Sequence, residues 1–327
     1  MSLKAIAAVL GLSVTTVSRA LNGYQDVAQE TRKRIEEEAQ RRGYRPNAAA
    51  RRLKTGRANA VGFVYPISAS PLNGSDFSDM LLALEHHLAR YYDINLLVLA
   101  DKQQSQSTLT RLLRSGVVDA LIVGHTTPED SRLHALLQTN FRFLALGRSD
   151  LPSTYAWFDV DHLAGSQLAV GWSLAQGRQR IAWLGSNENS TRVRDRRQGY
   201  LTALGEVTPY AMAAVAPSRR AGYQQTREWL AEGPAPEVII TDCAALAEGA
   251  ALALQLAGRA AGEGAILLAG WEGLPRDAIL DHPIVAIRQA TPHQAGEQVA
   301  EMVIQLIDGA PPETLQTLWQ PWLQLPA

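Results

Sequence analysis

"LKAIAAVLGLSVTTVSRALNG", residues 3–23, decides the fold of the first part of the chain. Leu3, Ile6, Ala7 and Leu10 recur at three- and four-residue spacing, the pattern of a short amphipathic helix. Gly11 then offers the left-handed backbone that ends a helix, and the Ser13 hydroxyl can accept from the free amides of a second one. Val17 and Leu21 mark that helix's inner face, while Val14, Thr15, Thr16, Ser18, Arg19 and Asn22 can face outward as short or hydrogen-bonding side chains. This is a helix-turn-helix pattern, in which the start of the second helix enters the major groove of DNA. Arginine pairs well with guanine there, and threonine brings a hydroxyl and a methyl group. A plain helical hairpin would explain the periodicity, but not the coincidence of turn, outward hydroxyls and charge.

Further along, "AQETRKRIEEEAQRRG" (residues 28–43) predicts a third helix that closes a small core through Ile35 and Ala39 and ends at Gly43. Its basic face suits phosphates better than bases. "NAAARRLKTG" (residues 47–56) then sets three alanines, basic residues and Leu53 in a segment shorter than the dozen or so residues an isolated helix needs. A large apolar side chain between Arg52 and Lys54 suits insertion between bases. Charge is segregated accordingly: residues 1–60 hold 12 Lys and Arg against 5 Asp and Glu, a balance of +7, within a 327-residue chain of net charge −1. A polyanion-binding module joined to an acidic body has this distribution.

From Asn59 the pattern changes to buried-strand runs, "AVGFVYP", "INLLVLA", "VDALIVG", "FRFLALG", "RIAWLG", "EVIITD" and "AILLAGW". They alternate with amphipathic stretches such as "FSDMLLALEHHLARYY", "QSTLTRLLRSG" and "LAGSQLAVGWSLAQG". That succession predicts doubly wound α/β layers, and the length fits two such subdomains. Hydrophobic residues at 46% and charged residues at 19% describe a globular chain, and no apolar run approaches the roughly 20 residues of a membrane span. The opening residues carry no signal-peptide cleavage pattern, and the single cysteine, Cys243, suits a reducing compartment, so a cytoplasmic protein is expected.

The segments "LKAIAAVLGLSVTTVSRALNG", "ETRKRIEEEAQRRGYRPN" and "AAARRLKTGRANAVGFVYP" resemble the headpiece, hinge helix and first core strand of the lactose-repressor/galactose-repressor (LacI/GalR) family of transcription regulators. The resemblance implies that Val14, Thr15 and Arg19 read bases, with Ser13, Thr16, Ser18 and Asn22 positioning the backbone. It further implies a hinge helix over residues 47–53 that inserts Leu53 into the minor groove, with Tyr44, Asn47, Ala50, Arg51 and Lys54 as additional DNA contacts. Ala28 stands where the family commonly has a serine capping the third helix.

The expected organisation is a headpiece over residues 1–46, a hinge and linker over 47–58, and a periplasmic-binding-protein-like core over 59–327. Its lobes are expected near 59–160 plus 290–318 and 161–289 plus 319–327, with crossings near 158–163, 286–291 and 315–322. The chain ends at "LWQPWLQLPA" without an added heptad helix, which favours a dimer over a tetramer.

Open parallel sheets bind ligands at the carboxyl ends of their strands. After "RIAWLG" lies Arg196, matching the family's ligand-binding arginine, and after "AILLAG" lies Glu272, where the family usually has an aspartate. An arginine and a carboxylate on facing loops can each engage two adjacent hydroxyls of a polyol. Asp76, Phe77, His125, Arg148, Asp161, Trp271 and Gln289 complete the candidate effector contacts. Cys243 and Ala244 stand where the family often has Asn and Asp, so a hydroxyl contact that relatives make there is not expected to carry over.

An enzyme is not expected: the chain has no GxGxxG after a strand, no phosphate loop, no GxSxG elbow and no HExxH helix. No cofactor or metal is expected, and the adjacent His86 and His87 read as a solvated surface pair. A transport or sensory sugar-binding protein should carry an export signal and no basic headpiece. An architectural DNA protein with an inert core would ignore sugars. The expected function is therefore a ligand-responsive, dimeric DNA-binding repressor of a carbohydrate-utilisation operon, acting on a palindromic site.

Overall fold

The structure is a computed structural model, and it describes residues 2–21, 26–44, 56–66, 75–101, 106–280 and 282–326. The chain divides into two compact units, residues 1–58 and 59–327. The expected DNA contacts Asn22, Asn47, Ala50, Arg51, Leu53 and Lys54 lie outside the described residues.

In the first unit, helices α1 (Leu3–Leu10) and α2 (Val14–Leu21) meet at 110°. Gly11 makes the turn at φ 67°, and the Ser13 hydroxyl accepts the Thr16 amide at 2.9 Å, as the sequence suggested. Helix α3 (Gln29–Arg41) packs Ile35 and Ala39 against Ile6, Ala7, Val17 and Ala20. So small a core leaves each helix end exposed to loss, and Ala28 begins α3 without a side-chain cap. Buried Glu38 anchors the other end: hydrogen bonds from Arg41 and Arg42 hold its carboxyl down at about 2.

The second unit contains two six-stranded sheets. The first sheet takes β1 (Ala60–Pro66), β2 (Asn95–Asp101), β3 (Ala120–Val123), β4 (Phe143–Leu146), β5 (Ala156–Val160) and β11 (Gln316–Trp319), ordered β11-β5-β4-β3-β1-β2 and entirely parallel. The second takes β6 (Ile181–Ser186), β7 (Ala211–Val215), β8 (Val238–Thr241), β9 (Leu267–Trp271), β10 (Ile284–Arg288) and β12 (Trp322–Gln324), ordered β12-β10-β9-β8-β6-β7. Only β12 there runs antiparallel to its neighbour. Central strands covered on both faces are apolar throughout: β3 (ALIV) and β8 (VIIT) are buried at every position, whereas the alanine-rich edge strand β7 is half-exposed.

The connecting helices are α4 (Ser75–Tyr92), α5 (Gln106–Ser115), α6 (Ser131–Thr139), α7 (His162–Ala175), α8 (Thr191–Leu204), α9 (Arg219–Ala231), α10 (Ala244–Leu256) and α11 (Pro292–Ile307). The chain passes between the two sheets after β5, between β10 and α11, and again between β11 and β12. Helix α11 packs Val299 and Val303 with Leu84 and Leu88 of α4 over the first sheet. Trp183, Tyr200 and Trp271 lie in the core of the second sheet. Each lobe thus has its own apolar core, and strand ends from both meet at a cleft. Among the described residues, no single helix is long and apolar enough to cross a membrane.

Candidate functional site

The first unit presents a short exposed face at the start of α2. Val14 is 40% exposed and Thr15 is also exposed, while Ser18 and Arg19 are half-buried at the next turns of α2. Arg19 is held by an ion pair to Asp26 at 2.5 Å, which directs an otherwise long, mobile side chain. Ser13 and Thr16 serve the helix start itself, since their hydroxyls lie 2.7 Å apart and that of Ser13 caps α2. Tyr44 is half-buried against the helical core, and its amide bonds Ala39 O at 2.9 Å.

In the second unit, a cavity of about 240 Å³ lies between the lobes. Six of the nine expected effector residues line it: Asp76, Phe77, His125, Arg196, Glu272 and Gln289. The other three do not, and their neighbours explain why. Trp271 is fully buried; its indole N–H donates to Ser166 Oγ at 3.2 Å, and its ring supports the Arg196 guanidinium at 4.0 Å. It is the floor beneath the arginine, with no face left for a sugar. Arg148 is committed to Asp159 at 2.9 Å. Asp161 caps α7 through the Ala164 amide at 3.0 Å and accepts from Gln320 at 3.4 Å.

Residues not singled out from the sequence fill these roles. Arg192 lies one turn before Arg196 on α8, lines the cavity and pairs with Glu188 at 3.2 Å. Its signal was the arginine-rich string "TRVRDRRQG", in which positions four apart share a helix face. Gly199 holds α8 tightly against α7, since a Cβ there would lie 2.2 Å from Leu163 O. On the facing lobe, Tyr65 and Phe77 meet at 4.8 Å, and Phe158 meets Trp319 edge-on at 4.7 Å. These rings give the cavity apolar walls. His87, expected to be solvated, pairs instead with Glu301 at 2.7 Å.

The buried polar groups form a linked set. Arg196 donates from Nε to His162 Nδ1 at 3.2 Å and from its fork to the Asp242 carbonyl. Burial, then the neighbouring Arg192, lowers the Arg196 pKa to about 10, so it stays charged at neutral pH. Burial and then Arg196 drive His162 well below the ordinary histidine range. Because Nδ1 accepts, the neutral ring carries its proton on Nε2, facing Asp159 Oδ1 at 3.5 Å. Burial, followed by Arg192, lowers His125 to about 4. Burial raises Asp159 against the pull of Arg148. His125 and Glu272 both take left-handed backbone, at φ 55° and 69°, conformations that cost non-glycine residues energy and recur where side chains are aimed at ligands.

Contacts bridge the two lobes at the cavity's margins. The Thr191 amide, at the start of α8, donates to Thr126 O at 3.0 Å, and Arg194 pairs with Asp150. Arg276 reaches Asp76 at 3.5 Å and Asp79 at 2.8 Å.

A helix-turn-helix unit joined to a two-lobed core with a mixed polar and aromatic cavity between the lobes defines a ligand-responsive DNA-binding regulator. Residues 2–47 match the family described as bacterial regulatory proteins, lacI family, and residues 58–320 match the periplasmic binding proteins and sugar binding domain of LacI family. The chain is 46% identical to the HTH-type transcriptional regulator RafR of Escherichia coli over 98% of its own length and 96% of that protein. A transcriptional regulator from Yersinia pestis biovar Microtus is 40% identical, with TM-score 0.78, covering 83% of this chain and 98% of that one. The lac repressor dimer bound to operator and anti-inducer shares the fold at 23% identity, TM-score 0.84, covering 99% and 97% of the two chains. The chain belongs to the LacI family of transcription regulators. It is a regulator and not an enzyme.

Proposed function

We propose that this regulator is a homodimeric, cytoplasmic repressor of a carbohydrate-utilisation operon, whose sugar effector binds between the lobes and sets its affinity for a palindromic operator. The carrying observation is the cavity itself. Arg196, Arg192, Glu272 and Asp76 offer charged hydrogen-bonding groups suited to vicinal hydroxyls, while Tyr65, Phe77, Phe158 and Trp319 offer ring faces or edges suited to sugar C–H groups.

Exposed apolar side chains support the homodimer. The edge strand β2 presents Leu97 and Val98, and the second lobe presents Leu256 on α10, 69% exposed, and Ile279, 98% exposed. A two-fold dimer reads a two-fold DNA site. Val14, Thr15 and Arg19 are the proposed base readers, while Asn22, Tyr44, Asn47, Ala50, Arg51, Leu53 and Lys54 remain proposals from the family resemblance alone. The proposed boundaries keep the headpiece within 1–46, a hinge within 47–58 and the core within 59–327.

An effector controls DNA binding only through different affinities for the two lobe arrangements, and DNA must alter effector affinity by the same factor. Operator binding measured by fluorescence anisotropy, with an operator selected from random DNA, tests the whole reading. Expected are loss of affinity on scrambling the palindrome, a steep fall with salt and a change in affinity with at least one sugar of a broad panel. Equal affinity for intact and scrambled sites refutes the operator reading; a silent sugar panel refutes the effector reading.

A further inference from the structure

We propose that the cavity is built for an uncharged glycoside and discriminates against phosphorylated sugars, an inference that rests on the sugar-effector reading above. A cleft lined by arginines invites the opposite conclusion, but Arg192 is ion-paired and Arg196 has much of its fork already engaged. Arg192 is neutralised by Glu188 at 3.2 Å. Its buried Nε has no partner in the protein, which leaves one donor of the kind a sugar hydroxyl accepts. Arg196 spends its Nε on His162, part of its fork on the Asp242 carbonyl and one face on Trp271. The cavity lining carries two arginines and three carboxylates; Asp159 pairs with Arg148 and Asp76 with Arg276, which leaves the Glu272 charge to act on Arg192 and Arg196. His125 and His162, both pushed toward the neutral form, add no charge near neutral pH.

The second observation concerns the places where this fold would ordinarily hold a phosphate. Helix N-termini bind anions through free amides and the positive end of the dipole. Four helices begin at this cavity, since Asp76, His162, Arg192 and Pro292 all line it. Each of the four starts already carries a group that competes with an anion for that end of the helix. Helix α4 places the carboxylate of Asp76 in its own first turn. Asp161 caps α7. In α8 the Thr191 amide is taken by the Thr126 carbonyl and the Val193 amide by Ser190 Oγ. In α11 a Thr291–Gln294 capping box fills the start, and Pro292 brings no N–H. A phosphate would have to displace several of these groups and sit in the same cavity as the Glu272 carboxylate. Neutral hydroxyls, which both donate and accept, can use the carboxylates as they stand.

The test is isothermal titration calorimetry of the full-length protein with sugars matched except for the phosphate: glucose and glucose 6-phosphate, fructose and fructose 1-phosphate, sucrose and sucrose 6-phosphate, trehalose and trehalose 6-phosphate, together with neutral maltose, melibiose, cellobiose and raffinose. The expected result is binding confined to neutral sugars, with any phosphorylated counterpart at least tenfold weaker. Equal or tighter binding of a phosphorylated member overturns this inference and leaves the sugar-effector reading standing. Silence across both arms overturns both. Glu188→Gln, checked for folding by its thermal transition, uncovers the Arg192 charge and should narrow the discrimination at least threefold; an unchanged ratio in a folded variant overturns the charge-compensation argument.

Discussion

Two substitutions in one helix should shift stability in opposite directions. Gly165 and Gly171 both lie in α7, and both can be replaced by alanine. At Gly171 the added Cβ meets nothing within 4 Å, so Gly171→Ala gains only the helical preference of alanine over glycine, about 0.5–1 kcal/mol. At Gly165 the Cβ would lie 2.5 Å from Cη2 and Cζ2 of Trp271 and 3.0 Å from Cγ2 of Ile287. Trp271 has no solvent-facing surface and cannot swing aside, so the helical gain is set against overpacking of about 1–3 kcal/mol. Taking the net loss at Gly165 as about 1–2 kcal/mol, the two variants should differ by roughly 1.5–3 kcal/mol. At about 2–4 °C per kcal/mol, their melting temperatures should separate by roughly 3–12 °C in differential scanning calorimetry. The effect should extend to function, because the displaced indole carries the Arg196 guanidinium at 4.0 Å. Effector affinity should fall in Gly165→Ala and hold in Gly171→Ala. Coincident melting curves, or a Gly165→Ala protein more stable than the parent, would refute the reasoning.

Ala28→Ser should supply the missing cap of α3 and stabilise that helix by about 1 kcal/mol, read as slower hydrogen exchange of its first-turn amides. Arg276→Ala removes two exposed interlobe ion pairs, each worth about 0.2–1 kcal/mol, so effector affinity at low salt should change about thirtyfold or less. Raising the salt to about 0.5 M should erase most of that difference; an undiminished effect would mean that Arg276 acts otherwise. His125 is lowered to about 4 from an ordinary 6.5, so between those values the unfolded chain holds a proton that the folded chain lacks. Its contribution is complete above about pH 6.5 and is lost as pH falls toward 4, with a slope of up to about 1.4 kcal/mol per pH unit. His125→Gln should flatten that part of the profile of urea midpoint against pH; parallel profiles would exclude the assignment.

The helix-turn-helix was readable residue by residue because its determinants are local: a left-handed glycine, a hydroxyl cap and apolar spacing within 20 residues. The central strands were readable for a related reason, as continuous apolar runs such as ALIV and VIIT. Strands β5, β7, β10, β11 and β12 were not singled out. Their strings are short, and AWFDV carries an aspartate while IVAIR ends in an arginine. The cavity was half legible. Strand-end position found His125 and, together with the family resemblance, Arg196 and Glu272, but it cannot distinguish a side chain that faces the cleft from one that supports its neighbour. Trp271 and Glu272 are adjacent in sequence, yet the first is buried under Arg196 and the second lines the cavity. Only packing separates them.

Helix α8 has a consequence of its own. Its first turn is tied to the opposite lobe through Thr191 and Arg194, and its next residues deliver Arg192 and Arg196 to the cavity. One rigid rod therefore both grips the far lobe and lines the proposed effector cavity, so in that reading occupancy and closure share a single mechanical part. Evolution can retune the response threshold by altering how that rod rests on α7 behind it, at Gly199 for instance, without changing a residue that meets sugar or DNA. Altered-response variants should accordingly map to the rear of α8 as well as to the cavity wall.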